Sequence, residues 1–166
     1  MVAVDVGTGQ LHDRLRRNPD VDVYEQTDIR SVAPDSFTKE HERQPGFDVV
    51  VADLSFISTT RLLRNLSDLV REDGVCVFLI KPQFEAGKQD VSRGKGIISD
   101  PDIWTRVLHE FIDTAAMHDL PVMDLALSPV KGGKGNVEFL ALLRPASSAF
   151  GPAQGHTWTM SSTREN

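Results

Sequence analysis

Six stretches of the chain are rich in apolar and β-branched residues, and each has the length of a β-strand. Two of them, "DVVVAD" and "VCVFLIK", are nearly continuous apolar runs, which is typical of strands buried on both faces of a sheet. Helical patterns separate several of these runs, so the sequence predicts alternating strands and helices. The predicted strands are residues 2–6, 21–25, 47–53, 74–81, 121–126 and 137–143.

The predicted helices determine how the strands are connected. Residues 10–17 form a short helix, and residues 58–70 carry four leucines at helical spacing before the turn "EDGV". Asp100 and Pro101 are typical of a helix start, and that helix is expected to run to about His118. Helical connections of this kind predict parallel strands joined by right-handed crossovers.

The last two strands break this pattern. Only the loop "LSPVKGGKGN" joins them, which is too short for a crossover helix, so they are expected to pair antiparallel. The predicted fold class is therefore α/β, a Rossmann-like, mostly parallel sheet with an antiparallel final hairpin. This is the arrangement of S-adenosylmethionine-dependent methyltransferases. The domain covers residues 1–144, and the small, polar, aperiodic residues 145–166 are predicted to be a disordered tail.

Composition limits the setting in which the protein works. With 166 residues, 40% hydrophobic and 25% charged, the chain suits one soluble domain. It has neither a membrane-length apolar run nor a secretory leader pattern, so no membrane partner is expected. The single cysteine, Cys76, lies in an apolar run, which favours a core position and a reducing cytoplasm. The five histidines share no metal-ligand spacing, so no metal is expected.

Charge is unevenly distributed along the chain. The net charge of −6 argues against a free-standing nucleic-acid binder with a broad basic face. Even so, residues 81–96 contain four cations and two acids, and Lys131 and Lys134 follow on another glycine-rich loop. These loops either contact a phosphate backbone locally or are solvated loop charges, and the pattern leaves both interpretations open.

Charged residues follow or precede several predicted strands. Ligands of open α/β sheets bind at the carboxyl ends of the strands. Asp53, Lys81 and Glu138 each adjoin a strongly apolar strand, where an unpaired charge would be costly. They are therefore predicted to pair within one cleft, and the alternative is a purely structural ion pair at the sheet edge.

Six motifs along residues 2–144 carry a family resemblance. They are "VAVDVGTGQL", "TDIRSV", "FDVVVADLSFIS", "LIKPQFEAGK", "GKGIISDP" and "SPVKGGKGNVEFLALL", in unbroken order. The sequence resembles the hemolysin-A-type (TlyA) family of ribosomal RNA 2′-O-methyltransferases, which are related to FtsJ. The resemblance implies S-adenosyl-L-methionine as cofactor, and ribosomal RNA or a ribosomal subunit as partner.

The resemblance also assigns roles to individual residues. The family's catalytic set is lysine, aspartate, lysine and glutamate, of which Asp53, Lys81 and Glu138 match the last three, with Lys81 expected as the base. The implied cofactor-binding residues are Asp5, as the ribose-binding acid, with Val6 beside it, and Asp28 with Ile29 for the adenine. Asp53 is also expected to bind the cofactor, near its amino-acid end, because a carboxylate attracts a sulfonium. Gln83 and Phe84 are expected either to line the target-nucleotide pocket or, for Phe84, to pack rigidly.

In this family the glycine-rich cofactor loop comes before a strand like "VAVDVGTGQL", which therefore resembles the second strand. This interpretation predicts that the first strand, its glycine loop, the first catalytic lysine and an S4-type RNA-binding domain are missing. The neighbouring strands would then have unpaired edges about 10 Å apart, with self-association through those edges as a hazard.

Three other interpretations remain open. In one, residues 5–9 are the first glycine loop and Glu25 is the ribose-binding acid. A nicotinamide-dependent oxidoreductase would use the same loop, but the full G-x-G-x-x-G pattern is absent. The third is a catalytically silent methyltransferase-fold fragment, or an RNA or ribosome interaction module.

Overall fold

The computed structural model describes residues 1–37 and 46–148, and all six predicted strands are present in it. They are β1 (Val2–Val4), β2 (Asp22–Tyr24), β3 (Phe47–Ala52), β4 (Val70–Ile80), β5 (Val122–Leu127) and β6 (Phe139–Leu143).

In the residues that the structure describes, five α-helices connect the strands. They are α1 (Asp13–Arg16), α2 (Leu63–Ser67), α3 (Pro82–Glu85), α4 (Lys88–Arg93) and α5 (Pro101–Met117). Short 3₁₀ turns span Ile29–Ser31, Pro34–Phe37, Thr60–Leu62 and Gly133–Gly135. Within residues 1–37 and 46–148, no helix is long and apolar enough to cross a membrane.

The strands form two sheets. One has the order β3-β4-β6-β5, with β3 parallel to β4 and with β6 antiparallel to both of its neighbours. The other contains β1 and β2 in parallel. The parallel pairs among the first four strands and the antiparallel final hairpin confirm the predicted fold class.

A gap separates the two sheets. In the part of the chain that the structure describes, no strand pairing joins β1 to β3. A cavity of about 250 Å³ lies between them, lined by Val2 and Val4 on one side and Val49 and Val51 on the other. The gap lies where the second-strand interpretation expects a missing first strand.

The core lies on one face of the four-stranded sheet. Alternate residues of β3, β4 and β6 point into it, and α2 and α5 cover them. Cys76 is fully buried there, and burial raises the pKa of its thiol to about 12, so its core position is confirmed. The core residues of this layer include Val50, Ala52, Cys76, Phe78, Ile80, Leu62, Leu63, Leu66, Val107, Phe111, Ala115, Phe139, Ala141 and Leu143.

The start of α5 was predicted correctly. Asp100 caps the helix, because its Oδ1 accepts a hydrogen bond from the backbone N–H of Asp102 at 2.9 Å. Pro101 occupies the first turn, where its missing N–H is not needed.

Two predictions around residues 58–75 were wrong in detail. The expected helix over 58–70 is a 3₁₀ turn followed by α2, which ends at Ser67. The expected turn "EDGV" lies inside β4, where a bulge carries the strand from the Phe47–Val70 pair to the Val49–Val75 pair. Gly74 allows this close approach, since a Cβ there would lie 2.8 Å from the carbonyl oxygen of Phe47.

The predicted tail is only partly within the described residues. Residues 145–148 form a turn in which Ala146 N–H donates to the Asp119 carbonyl at 2.8 Å, and Ser148 is buried. Residues 149–166 lie outside the described part, so the disordered tail stays a prediction there.

Replacement of Phe78 by alanine is expected to lower the free energy of unfolding by about 3–5 kcal/mol. The ring is fully buried in the centre of β4, so its loss removes apolar burial and leaves a cavity. Phe56→Ala is the control because that ring is 92% exposed, and it should unfold at the wild-type denaturant concentration. Equal midpoints for the two variants in urea unfolding would contradict the core assignment.

Candidate functional site

Asp53 and Lys81 form an ion pair at one edge of the sheet. They directly follow the parallel strands β3 and β4, whose carboxyl ends lie side by side. The Lys81 Nζ lies 2.7 Å from Oδ1 of Asp53 and donates a hydrogen bond to Oγ of Ser55 at 3.1 Å. The lysine side chain is 11% exposed and the aspartate 67%, so a mostly buried ammonium group reaches an open carboxylate.

Glu138 reaches the same edge from the antiparallel strand β6. Ile80 pairs with Phe139, so one further step along both strands places Lys81 opposite Glu138. Glu138 is buried, and its Oε1 accepts a hydrogen bond from Nε2 of Gln83 at 3.1 Å. Among the described residues, the buried Oε1 of Gln83 has no hydrogen-bond partner. The structure therefore brings Asp53 and Lys81 into contact, with Glu138 beside them and bonded to Gln83.

The glycine-rich loop before β6 packs directly on Glu138. A Cβ added at Gly132 would lie 2.0 Å from Oε1 of Glu138, whereas one at Gly133 would meet nothing within 4 Å. Only a hydrogen atom fits between the Gly132 backbone and that carboxylate. Gly132 thus allows the loop to close over the acid.

All five residues expected to bind the cofactor line one cavity of about 620 Å³. Asp5, Val6, Asp28, Ile29 and Asp53 border it. Asp5 is exposed, and its Oδ1 accepts a hydrogen bond from the backbone N–H of Gly7 at 2.6 Å, so its second oxygen is available to a diol. Carboxylates beside apolar side chains suit a nucleoside with a cationic end, so this donor set fits the expected cofactor.

The carboxylate of Asp28, which borders this cavity, is also bound by Arg30. The Arg30 Nε donates to both carboxylate oxygens at 3.0 and 2.9 Å, and the backbone N–H of Arg30 donates to Oδ1 at 2.9 Å. These bonds lower the pKa of the Asp28 carboxyl to about 2. A ligand at this position meets the Asp28–Arg30 pair and the apolar Ile29 side chain.

Another cavity, of about 570 Å³, adjoins the 620 Å³ cavity. Gln83 and Phe84 line it, together with Arg61 and Lys88. Phe56 borders both cavities, is 92% exposed at φ +64°, and its ring centroid lies 5.2 Å from that of Phe84. A bulky residue in the left-handed region is strained, and such strain concentrates at functional sites. The sequence analysis missed Phe56, although an aromatic residue just beyond a strand-end aspartate was a signal.

Glu85 fixes the two sides of this second cavity relative to each other. Its Oε2 accepts a hydrogen bond from Oγ of Ser58, and its Oε1 accepts one from the backbone N–H of Thr59, both at 2.6 Å. The loop after β3 is therefore tied to α3, which holds Phe56 near Phe84.

Asn136 joins the two basic loops, which the sequence analysis did not foresee. The side chain is buried, and its Oδ1 accepts a hydrogen bond from the backbone N–H of Ile98 at 2.9 Å. Its Nδ2 donates to the carbonyl oxygens of Gly96 and Gly133, each at 3.0 Å. The loop carrying Lys95, which follows Arg93 at the end of α4, thus lies against the loop carrying Lys131 and Lys134.

The alternative role of Glu25 as a ribose-binding acid is not supported. Its carboxylate forms an ion pair with Arg16 at 2.5 and 3.1 Å and accepts a bond from the Gln10 N–H at 3.2 Å. Glu25 is not among the residues that line the 620 Å³ cavity, which Asp5 and Asp28 border. Of the two acids, only Asp5 borders that cavity.

Replacement of Arg16 by alanine is expected to raise the pKa of Glu25 from about 2 toward its ordinary value of 4.5, because hydrogen bonding to Arg16 is the largest cause of the lowering. In the wild type this pair stabilises the fold above pH 4.5 and loses that contribution as the pH falls toward 2. An NMR titration of the Glu25 carboxyl carbon measures the shift. Arg14→Ala, on the same helix, is the control, and an unchanged Glu25 midpoint in Arg16→Ala would contradict the ion pair.

Within the described ranges, no group of three or more His, Cys, Asp or Glu residues is arranged to hold a metal ion.

A Rossmann-like sheet with an acid-lined cavity and a lysine–carboxylate cluster at its carboxyl edge is typical of a methyltransferase-type domain. Residues 1–144 match the FtsJ-like methyltransferase family, and the chain belongs to that family.

Named relatives place the chain more closely. The protein YqxC of Bacillus subtilis is 41% identical over 138 residues, which are 83% of this chain and 47% of that protein. The 16S/23S rRNA (cytidine-2′-O)-methyltransferase TlyA of Mycobacterium tuberculosis is 37% identical over 155 residues, 93% of this chain and 55% of that protein. A crystal structure of a Lactococcus lactis protein described as a hemolysin is 38% identical in sequence and superposes with a TM-score of 0.81. The match covers 92% of this chain and 70% of the Lactococcus lactis chain. The chain spans about half the length of YqxC and TlyA.

Proposed function

We propose that this chain carries the catalytic side chains for transfer of a methyl group from S-adenosyl-L-methionine to the 2′-hydroxyl of a ribosomal RNA ribose. The single observation that carries the proposal is the position of Lys81. Its amine contacts Asp53 and Ser55, which line the 620 Å³ cavity, and lies 6.0 Å from the ring of Phe84 in the adjoining cavity. A group in this position can act on the hydroxyl of an acceptor ribose that is held beside a methyl donor.

The 620 Å³ cavity provides the cofactor contacts. Asp5 accepts hydrogen bonds from the ribose hydroxyls, Val6 and Ile29 contact the apolar faces of the nucleoside, and Asp28 contributes at the adenine end. Asp53 lies at the edge shared with Lys81 and attracts the cationic amino-acid end. When bound, the cofactor supplies an electrophilic methyl group.

In its neutral amine form, Lys81 accepts the hydroxyl proton as the ribose oxygen attacks. General-base catalysis of this kind contributes about 10²–10⁴-fold to a rate. Asp53 and Ser55 hold the Lys81 Nζ toward the cavities. Glu138 accepts a hydrogen bond from Gln83 and so fixes that side chain. Asp53 and Glu138 therefore act mainly by positioning the reacting groups.

The 570 Å³ cavity provides the contacts to the acceptor nucleotide. Phe56 and Phe84 present aromatic faces on which an unstacked base can lie, and such stacking contributes about 1–3 kcal/mol per base. The basic loops joined by Asn136 lie on the surface as sites for backbone phosphates. A local basic surface on an acidic protein suits a folded RNA partner that is contacted only at that surface.

Two measurements test the function. Calorimetry with S-adenosyl-L-methionine tests the cofactor cavity, with Asp5→Asn expected to weaken binding. Asp22→Asn, on β2 and outside the cavity, serves as the matched control. Transfer of labelled methyl groups to isolated ribosomal subunits, followed by mass spectrometry of the nucleosides, tests for 2′-O-methylation.

The outcomes separate the two functional interpretations. Cofactor binding that Asp5→Asn weakens, together with a 2′-O-methylated nucleoside, supports the enzyme. Binding to ribosomal subunits without cofactor binding at millimolar concentration would instead favour a silent interaction module.

A further inference from the structure

The loop after β3 and the turn after β4 contact each other at successive positions along both segments. We call residues 53–59 the β3 loop, and residues 81–85 include α3. The contacting groups, in order along the β3 loop, are Asp53 and Ser55 with Lys81, Phe56 with Phe84, and Ser58 and Thr59 with Glu85. The β3 loop is therefore attached at both of its ends to residues on or next to α3.

The α3 side of this contact is rigid because it is bound to the backbone of Lys81. The Lys81 carbonyl oxygen accepts hydrogen bonds from the N–H groups of Phe84 and Glu85, at 2.8 and 3.2 Å. Pro82 is buried, and its ring fixes the backbone φ at the start of the helix. Any group that Glu85 binds is thus held at a fixed place relative to Lys81.

The β3 loop contains a strained residue that needs support from outside. Phe56 has φ +64°, a conformation that bulky residues rarely adopt, and it persists only where the surrounding structure imposes it. Because the ring is 92% exposed, close packing around it does not impose that conformation. The constraint comes from the loop residues on either side, which are Ser55, bound to Lys81, and the Ser58–Thr59 step, bound to Glu85.

Glu85 provides the stronger of these two attachments. It accepts two hydrogen bonds at 2.6 Å, one on each carboxylate oxygen, whereas Ser55 accepts one bond from Lys81 at 3.1 Å. Hydrogen bonds to a charged group are stronger than neutral ones. Thr59 is also 2% exposed, so without the carboxylate its N–H would lose its hydrogen bond in a buried place.

We propose that Glu85 is a positioning residue for methyl transfer: it holds Phe56 beside Phe84, where the acceptor base stacks, and keeps Ser55 against Lys81. The inference rests on the function proposed above, and it adds a residue that acts through its hydrogen bonds to the β3 loop. Loss of those bonds releases the strain at Phe56, so the ring leaves Phe84 and the acceptor loses a stacking surface.

The charge of Glu85 would act in the opposite direction. Glu85 lines the 570 Å³ cavity together with Arg61 and Lys88, and a carboxylate there repels the phosphates of an RNA. Removal of the charge alone would therefore tighten binding of the acceptor. Loss of the two hydrogen bonds weakens it. The sign of the change thus distinguishes a positioning role from an electrostatic one.

Two substitutions separate the hydrogen bonds from the charge. Glu85→Ala removes both. Glu85→Gln removes only the charge, because its amide oxygen can accept from the Thr59 N–H and its amide nitrogen can donate to the Ser58 hydroxyl. Glu110→Ala, which removes an exposed acid of α5, is the matched control for the loss of one negative charge. Thermal unfolding checks that all three variants are folded.

Fluorine NMR measures the position of the Phe56 ring without any substrate. The full chain is labelled with para-fluorophenylalanine, and Phe56→Leu assigns the Phe56 signal. Because the ring of Phe84 is close, Phe84→Leu should move this signal toward the position of free fluorophenylalanine. Glu85→Ala should move it in the same direction, whereas Glu85→Gln and Glu110→Ala should leave it at the wild-type position.

Methyl transfer to isolated ribosomal subunits measures the effect on function. Glu85→Ala is expected to raise the KM for the subunits at least about fivefold, the lower limit for loss of one stacked base. It should also lower the single-turnover rate, because Lys81 loses the orienting contact with Ser55. Glu85→Gln and Glu110→Ala should stay within about twofold of the wild type. A purely structural role would reduce the amount of active protein and leave the KM unchanged.

The proposal is overturned if the Phe56 signal stays in place in Glu85→Ala, or if the KM of that variant is unchanged or lower. It is also overturned if Glu85→Gln behaves like Glu85→Ala, because the charge would then be responsible. Each of these outcomes leaves methyl transfer by the wild type intact. Absence of methyl transfer by the wild type would overturn the proposed function and the role of Glu85 in it, whereas the fluorine spectra would still show whether Glu85 holds Phe56.

Discussion

Replacement of Lys81 by methionine is expected to lower the rate of methyl transfer to ribosomal RNA by about 10²–10⁴-fold, the contribution of a positioned general base. Methionine keeps most of the buried stem and removes the amine that contacts Asp53 and Ser55. Transfer of labelled methyl groups under single-turnover conditions measures the chemical step. Cofactor affinity, measured separately by calorimetry, should change little because Lys81 is not among the residues that line the 620 Å³ cavity proposed to bind the cofactor.

Lys81→Arg separates the role of a base from that of a fixed charge. Arginine keeps the positive charge beside Asp53 but does not accept a proton at accessible pH. The rate should therefore stay as low as in Lys81→Met. Arg64→Met, which removes an exposed cation of α2, should retain the wild-type rate. An arginine variant with near wild-type activity would show that only the charge of Lys81 matters.

The strand-end residues could be predicted from the sequence because two simple rules apply to them. The apolar run "DVVVAD" ends at Asp53 and "VCVFLIK" ends at Lys81, and parallel strands bring such ends together. Glu138 required the additional inference that a short loop forces an antiparallel hairpin. The pairing of Ile80 with Phe139 then places Glu138 next to Lys81.

Other features could not be read from local pattern because they depend on tertiary contacts. Helices α3 and α4 have four and six residues, too short to show a helical period. The importance of Phe56 depends on its backbone conformation and on Phe84, which is 28 positions away in sequence. Asn136 is polar and buried only because two distant loops meet around it. The gap between β1 and β3 was expected from the family resemblance, and periodicity alone would not have revealed it.

Replacement of Gly132 by alanine is expected to lower methyl transfer by about 10²-fold, the effect of displacing a catalytic group by about 1 Å. The new Cβ would lie 2.0 Å from Oε1 of Glu138, closer than any real contact, so either the loop or the carboxylate must move. Either movement disturbs the bond from Gln83 to Glu138 beside Lys81. Gly132 has φ −72°, so alanine brings no backbone strain of its own, and the effect should arise from the contact alone.

Gly133→Ala provides the matched control for this loop. The same methyl group is added one residue later, where it would meet nothing within 4 Å. Its rate should stay within about twofold of the wild type, because the chemical step does not sense a solvent-facing methyl group. Thermal unfolding of both variants should be similar, since the loop lies at the surface. If Gly132→Ala retained full activity, Glu138 would have no positional role in catalysis. If both variants lost activity equally, the loop as a whole would be responsible, and the close contact at Gly132 would not be.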